Sequence, residues 1–178
     1  MVAYRCFITR ALASMALLIT AEGAAICQES PPRDVLVRFS KLDAQGGQLS
    51  TEGWQKIAEL FVAPGIPRRD QITVVRDFVV SLPKLEKAAS EFYVEYIQLG
   101  QIDASTARFS PLPTMKVRAG FYLIKDSEAR WRIEGPVPEP HLTVDAAIRY
   151  ASDLLANAGD VSSRRRADRL LAALKRFR

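Results

Sequence analysis

Few side chains in this sequence have a type and spacing that could do chemistry. Asp77 is the first. It interrupts Ile72-Thr73-Val74-Val75-Arg76-Asp77-Phe78-Val79-Val80, a run rich in β-branched residues that reads as a strand. In strict alternation Asp77 shares a phase with Val75 and Val79, which would aim it into an apolar interior. A carboxylate held there is pushed toward its protonated form by desolvation and could serve as a proton-transferring base. The simpler reading makes Arg76 and Asp77 a solvated or edge portion of the strand, because Asp is almost never buried without a partner. Tyr93, Tyr96 and Tyr122 could donate hydrogen bonds to a bound carbonyl, although strand tyrosines more often serve packing. Arg118 and Arg132, expected in neighbouring strands, could hold an anionic ligand or simply be solvated. Asp77 and Tyr96 therefore form the candidate catalytic pair, and Tyr93, Arg118, Tyr122 and Arg132 the candidate ligand contacts.

Other chemistries lack their residues. His141 is the only histidine, and the two cysteines are Cys6 and Cys27. Zinc sites of the usual Cys/His kind are thereby excluded, as is any Ser-His-Asp mechanism without His141. His141 follows a proline-rich bend and reads as a loop residue. Gly46-Gly47 lies between two expected helices, which is the wrong context for a phosphate loop. No metal or cofactor is expected.

The elements that would position these residues can be read in order. Pro32 suits a first helical turn, and Val35, Leu36, Phe39 and Leu42 follow at helical spacing until Gly46-Gly47. Ser50 or Thr51 caps a second helix with Trp54, Ile57, Ala58 and Phe61 as its stripe, stopped by Pro64-Gly65-Ile66-Pro67. Residues 72–80 and 91–99 read as strands. In the second of these, Glu91 and Glu95 face solvent while Phe92, Val94 and Tyr96 face inward. Residues 105–114, with Pro111 and Pro113, look like a loop. Strands follow at 117–124 and 131–134, joined by the polar turn Lys125-Asp126-Ser127-Glu128. After the prolines of residues 135–140, Thr143 caps a helix carrying Ala147, Ile148, Ala151, Leu154 and Leu155. Ser162 caps a last helix with Ala167, Leu170, Leu171, Leu174 and Phe177. Trp54 and Trp131 are expected between helix and sheet. The pattern predicts an α+β fold: N-terminal helices on a curved antiparallel sheet of about four strands, with additional C-terminal helices.

At the other end, Arg5 and Arg10 precede an apolar run from Ala11 to Ala21, and Gly23-Ala24-Ala25 supplies small residues. These are the parts of a secretory signal, with cleavage expected after Ala25 and a periplasmic or secreted destination. The run is short for a bilayer span, which needs about 20 apolar residues. Cys27 follows Ile26, a poor match to a lipidation site, which prefers a small residue there. The remainder divides into a domain over residues 32–158 and a basic amphipathic helix over 162–178. The net charge of +5 is a property of that tail. Residues 164–178 hold seven basic side chains against Asp168, a charge of +6, which leaves −1 for everything else. Such a helix suits an anionic membrane surface, or packs its leucines on the domain with its charges solvated. Export argues against nucleic acid as the partner. The tail is expected to be separable from the core.

The order helix, Gly turn, helix with Trp54, then strands resembles the nuclear-transport-factor-2-like (cystatin-like, cone-shaped) superfamily. So does Gly120-Phe121-Tyr122-Leu123-Ile124-Lys125 with Trp131-Arg132-Ile133-Glu134, which looks like its closing hairpin. The similarity covers roughly residues 32–135. It departs from the superfamily in lacking an early strand and a third helix before the sheet. The resemblance implies an open cavity for a small, largely apolar ligand. It is compatible with a homodimer formed through the sheet. In enzymes of the group an acid or base sits in the cavity. The favoured expectation is an exported binding or interaction module; the alternative is an isomerase-, cyclase- or dehydratase-like enzyme.

Overall fold

The computed structural model describes residues 31–66, 68–81, 84–85 and 90–178. The expected export signal and Cys27 lie outside them. Four helices and a mixed sheet make an α+β fold.

Helix α1 (Pro32–Ala44) starts where expected, with Pro32 in its first turn. Leu36, Phe39, Ser40 and Asp43 recur at helical spacing and are all buried. Gly46 ends the helix in the left-handed region (φ 92°), which glycine adopts without a Cβ penalty. A 3-10 turn (Gly47–Leu49) leads to helix α2 (Thr51–Ala58), where Ser50 Oγ accepts from Gly53 N at 3.1 Å. Beyond α2 the chain runs along the last sheet hairpin, with Ile133 N donating to Leu60 O (2.8 Å) and Val62 N to Ile133 O (3.0 Å). Trp54 and Trp131 are only half-buried, at the margin of the core rather than within it. The deep aromatic packing is Phe39 against Phe61 and Phe121, with ring centroids 5.3 and 5.5 Å apart.

The sheet comprises β1 (Gln71–Val80), β2 (Lys84–Leu85), β3 (Ser90–Asp103), β4 (Arg108–Lys125), β5 (Trp131–Glu134) and β6 (His141–Thr143). Its order is β5-β4-β3-β1-β6, with β2 also paired to β3. β6 pairs parallel to β1, so the sheet is mixed and not wholly antiparallel as the sequence suggested. β4 also begins earlier than expected, inside the stretch read as a loop. A bulge lets it tolerate its prolines: between the pairs Gln98↔Met115 and Gly100↔Pro111, β4 carries extra residues, and Pro113 falls among them, where no ladder hydrogen bond is needed.

Bulges also switch which face each side chain meets. On β3, Phe92, Val94 and Tyr96 face α1, as their alternation predicts. Past the bulge Ile102 faces the opposite layer. On β1 the register shifts between Val75 and Phe78. Ile72 and Val74 therefore meet the second layer, whereas Val75, Phe78 and Val80 meet the first.

That second layer is helix α3 (Val144–Ala156) and helix α4 (Val161–Lys175). Thr143 caps α3 through Ala146 N (3.3 Å). Asp160, rather than Ser162, caps α4 by accepting from Ser163 N at 2.9 Å. The basic helix is not a detached tail. Leu170 and Leu174 are fully buried with Ile72, Val74, Ile102 and Leu142, and Arg178 pairs with Asp145 at 3.2 Å. Its leucines recur at the spacing that a buried face demands, which the Gly159-Asp160 interruption does not undo. Among the described residues no helix is long and apolar enough to cross a membrane.

Candidate functional site

Two places carry polar groups in an arrangement beyond ordinary packing. The first is buried between α1 and the sheet. Asp43 sits seven residues after Leu36 on the apolar stripe of α1, and none of it is exposed. Its Oδ1 accepts from Gln48 Nε2 at 2.8 Å. Its Oδ2 accepts from His141 N and lies against His141 Nδ1, each at 3.2 Å. His141 reaches this position because β6 pairs Thr73 with His141, which turns the imidazole toward α1 while Leu142 faces α3. The loop position expected for His141 is thus replaced by a place on a strand. Its ring stacks on Tyr96 at 4.0 Å and 8°. The Tyr96 hydroxyl lies near Ser40 Oγ, yet neither hydroxyl completes a hydrogen bond among the described residues.

The electrostatics follow from burial. Desolvation raises the Asp43 carboxyl above its ordinary value, and the hydrogen bonds and charge of His141, with Gln48, offset only part of this. Burial, helped by the charge of Asp43, pushes the Tyr96 phenol far up, so it stays protonated. A carboxylate beside an imidazole is the arrangement of an acid–base pair. Here the His141 side chain is 12% exposed and its ring face is covered by Tyr96. The cluster fastens the end of α1 to β6; Thr143 Oγ1, donating to Ala44 O at 3.2 Å, extends the same seam.

The second place is a groove of about 610 Å3 between the α1–α2 turn, α3 and the start of α4. Leu49, Leu142, Ala146 and Leu154 supply its apolar lining; Arg149, Tyr150, Asp153 and Asn157 on α3 and its end, with Gln45, Ser50 and Ser163, supply its polar side. Burial raises the Tyr150 phenol. The volume lies in the range of small-molecule sites. Helical spacing alone brings Ala146, Arg149, Tyr150, Asp153 and Asn157 to one side of α3, a signal present in the sequence.

The candidates chosen from sequence lie mostly elsewhere. Asp77 is exposed, because the β1 bulge removes it from the phase of Val75; its Oδ1 accepts from Phe78 N at 2.8 Å. It cannot be an interior base. Tyr96 is interior, as expected of a candidate acid, and belongs to the Asp43 cluster. Tyr93, Arg118 and Tyr122 come together on the sheet face away from α1. There the Tyr93 hydroxyl donates to Glu91 Oε1 (2.6 Å), Arg118 pairs with Glu95 (2.5 Å), and the guanidinium lies 5.2 Å from the Tyr93 ring centre. Arg118 lowers the Glu95 carboxyl by hydrogen bonding and charge. Arg132 binds Asp126 at 2.9 Å, at the turn before β5. Partial desolvation works against ionised Asp126, but the Arg130 and Glu128 amides and both arginines hold it far below the usual range. Both arginines thus spend their charge within the protein. Asp43, Gln48 and His141 were missed. The usable signal was an acid at the i+7 position of an otherwise apolar stripe.

No protein-family model matches the chain, nor does any curated protein or solved structure.

Proposed function

We propose that the chain is an exported binding module on a cone-like frame of the nuclear-transport-factor-2-like kind. It takes a small, largely apolar ligand with one polar end. The observation that carries this reading is the groove between the α1–α2 turn and α3, with Leu49, Leu142, Ala146 and Leu154 in its lining and Arg149, Tyr150 and Asp153 at one side. The frame is supported by the order of α1, glycine turn and α2, followed by antiparallel strands whose inner face packs on α1. Two features add to that frame, namely the parallel strand β6 and the α3/α4 layer. Export rests on the charged start, apolar run and small residues up to Ala25.

The fluorescent probe 1-anilinonaphthalene-8-sulfonate, an apolar body with an anionic end, should bind saturably with a blue-shifted emission. Ala158→Trp, placed at the groove, should abolish the signal while leaving the melting temperature unchanged. Equal fluorescence from both proteins would sink the groove. Protein recovered from the host's extracytoplasmic fraction should begin at Ile26; a mature chain retaining Met1 would sink the export reading.

One observation favours a second reading, a small isomerase-, cyclase- or dehydratase-like enzyme: the Asp43 carboxylate directly orients His141. His141→Gln separates the two. Under the binding reading it leaves probe affinity unchanged, whereas an enzyme would lose turnover without losing ligand.

A further inference from the structure

We propose that a second groove, between α4 and the turn joining β3 to β4, binds a phosphoryl anion through Arg108, Arg166 and Arg169. It is independent of the groove between α1 and α3. Its volume is about 550 Å3, and Phe109, Leu170 and Ala173 line its apolar side. Arg108 enters from the first residue of β4, next to Ala107, whose backbone is held in the left-handed region (φ 50°). Arg166 and Arg169 enter from one side of α4.

The three guanidiniums are oriented or free, but not neutralised. Arg166 donates to Ser162 Oγ at 2.8 Å and to Ser163 Oγ at 2.9 Å, so hydroxyls hold its fork; Ser163 Oγ in turn donates to Asp160 Oδ2 at 2.6 Å, which sets one carboxylate behind this arginine without a direct ion pair. Arg169 Nε donates to Arg165 O at 3.3 Å. Among the described residues none of the three pairs with a carboxylate, whereas Arg118, Arg130, Arg132 and Arg178 all do. Asp103 also lines the groove, but its Oδ1 is taken by Ser105 N, Ser105 Oγ and Thr106 N, which directs it into its own turn. Three cations against Asp103, engaged in its own turn, and Asp160, which faces Arg166 across Ser163, still leave an excess of positive charge. A phosphoryl anion, with several oxygens around one centre, answers both that excess and the fork geometry of arginine.

The same chemistry is offered by a soluble phosphate compound and by an anionic lipid headgroup. Inorganic pyrophosphate serves as the soluble probe, and vesicles of phosphatidylglycerol against phosphatidylcholine as the lipid probe. The variant Arg108→Gln/Arg166→Gln is compared with Arg164→Gln/Arg165→Gln. The second pair removes equal charge from the same region but borders a different depression, with Leu155 and Val161. The full chain should bind at least one probe, more weakly as salt rises. The groove variant should lose about tenfold or more in affinity, and the control should stay within about threefold, since charged hydrogen bonds count for more than diffuse charge. Loss of pyrophosphate binding assigns a soluble ligand; loss confined to phosphatidylglycerol vesicles assigns a headgroup. Equal weakening by both variants reduces the effect to general basicity and overturns the site, as does failure to bind either probe.

Discussion

Replacing Asp43 by alanine should lower the free energy of unfolding by about 3–5 kcal/mol, since two buried donors lose their acceptor at about 1–3 kcal/mol each. The change leaves Gln48 Nε2 and His141 N without their acceptor in a water-free interior. Asp43→Asn should be far milder. It keeps the shape and one acceptor oxygen, and its amide can donate to Gln48 Oε1, which is buried without a partner. The two variants also separate by pH. Because burial raises the carboxyl in the folded protein, the unfolded chain releases this proton first as pH rises. The stability contributed by protonated Asp43 is complete below the ordinary carboxyl value of 3.8 and is lost as pH rises through the higher folded value. The native protein should therefore lose stability over that interval relative to Asp43→Asn. Urea unfolding across the acid-to-neutral range measures this. Parallel profiles for the two proteins would refute the titration, and a cost below about 1 kcal/mol for alanine would refute the network.

The second large effect is expected at Phe39. Truncation to alanine should cost about 3–5 kcal/mol, because the ring is fully buried and its removal opens a cavity between Phe61 and Phe121. Phe39→Leu should cost less than half as much, since it refills most of the volume. Trp54→Ala should also fall well below Phe39→Ala. Trp54 is larger, but it is only half-buried, so less surface is taken from water and less void remains. Urea midpoints at constant m give these differences. A Trp54 cost equal to that of Phe39 would contradict the aromatic trio as the centre of this core.

Much of the fold was legible because it rests on short-range rules. Pro32 at a helix start, Ser50 and Thr143 as caps and Gly46 as a stop each act on neighbours in the chain, so local chemistry specifies them. The alternation Phe92, Val94, Tyr96 named the inward face of β3 correctly, because a two-residue period survives wherever the ladder is regular.

The candidate site was legible only in part. Tyr96 was read as facing inward, and it does, because it lies on a regular stretch of strand. Asp77 shares the face of Val75 only under unbroken alternation, and one bulge between Val75 and Phe78 reverses the face. His141 looked like a loop residue because three residues of strand leave almost no periodic trace.

The sequence by itself determined the helices, the main strands, the apolar stripes and the concentration of positive charge in the last fifteen residues, since each depends on residues a few positions apart. Only the tertiary structure decided the rest. It paired β6 parallel to β1, brought His141 to Asp43 across 98 positions, buried Leu170 and Leu174 of the basic helix against Ile72 and Ile102, and put Arg108 and Arg166 in the lining of one groove. The physical reason is common to all four. Each joins segments far apart in the chain, and their meeting follows from how two layers of helices cover the two faces of one bulged sheet.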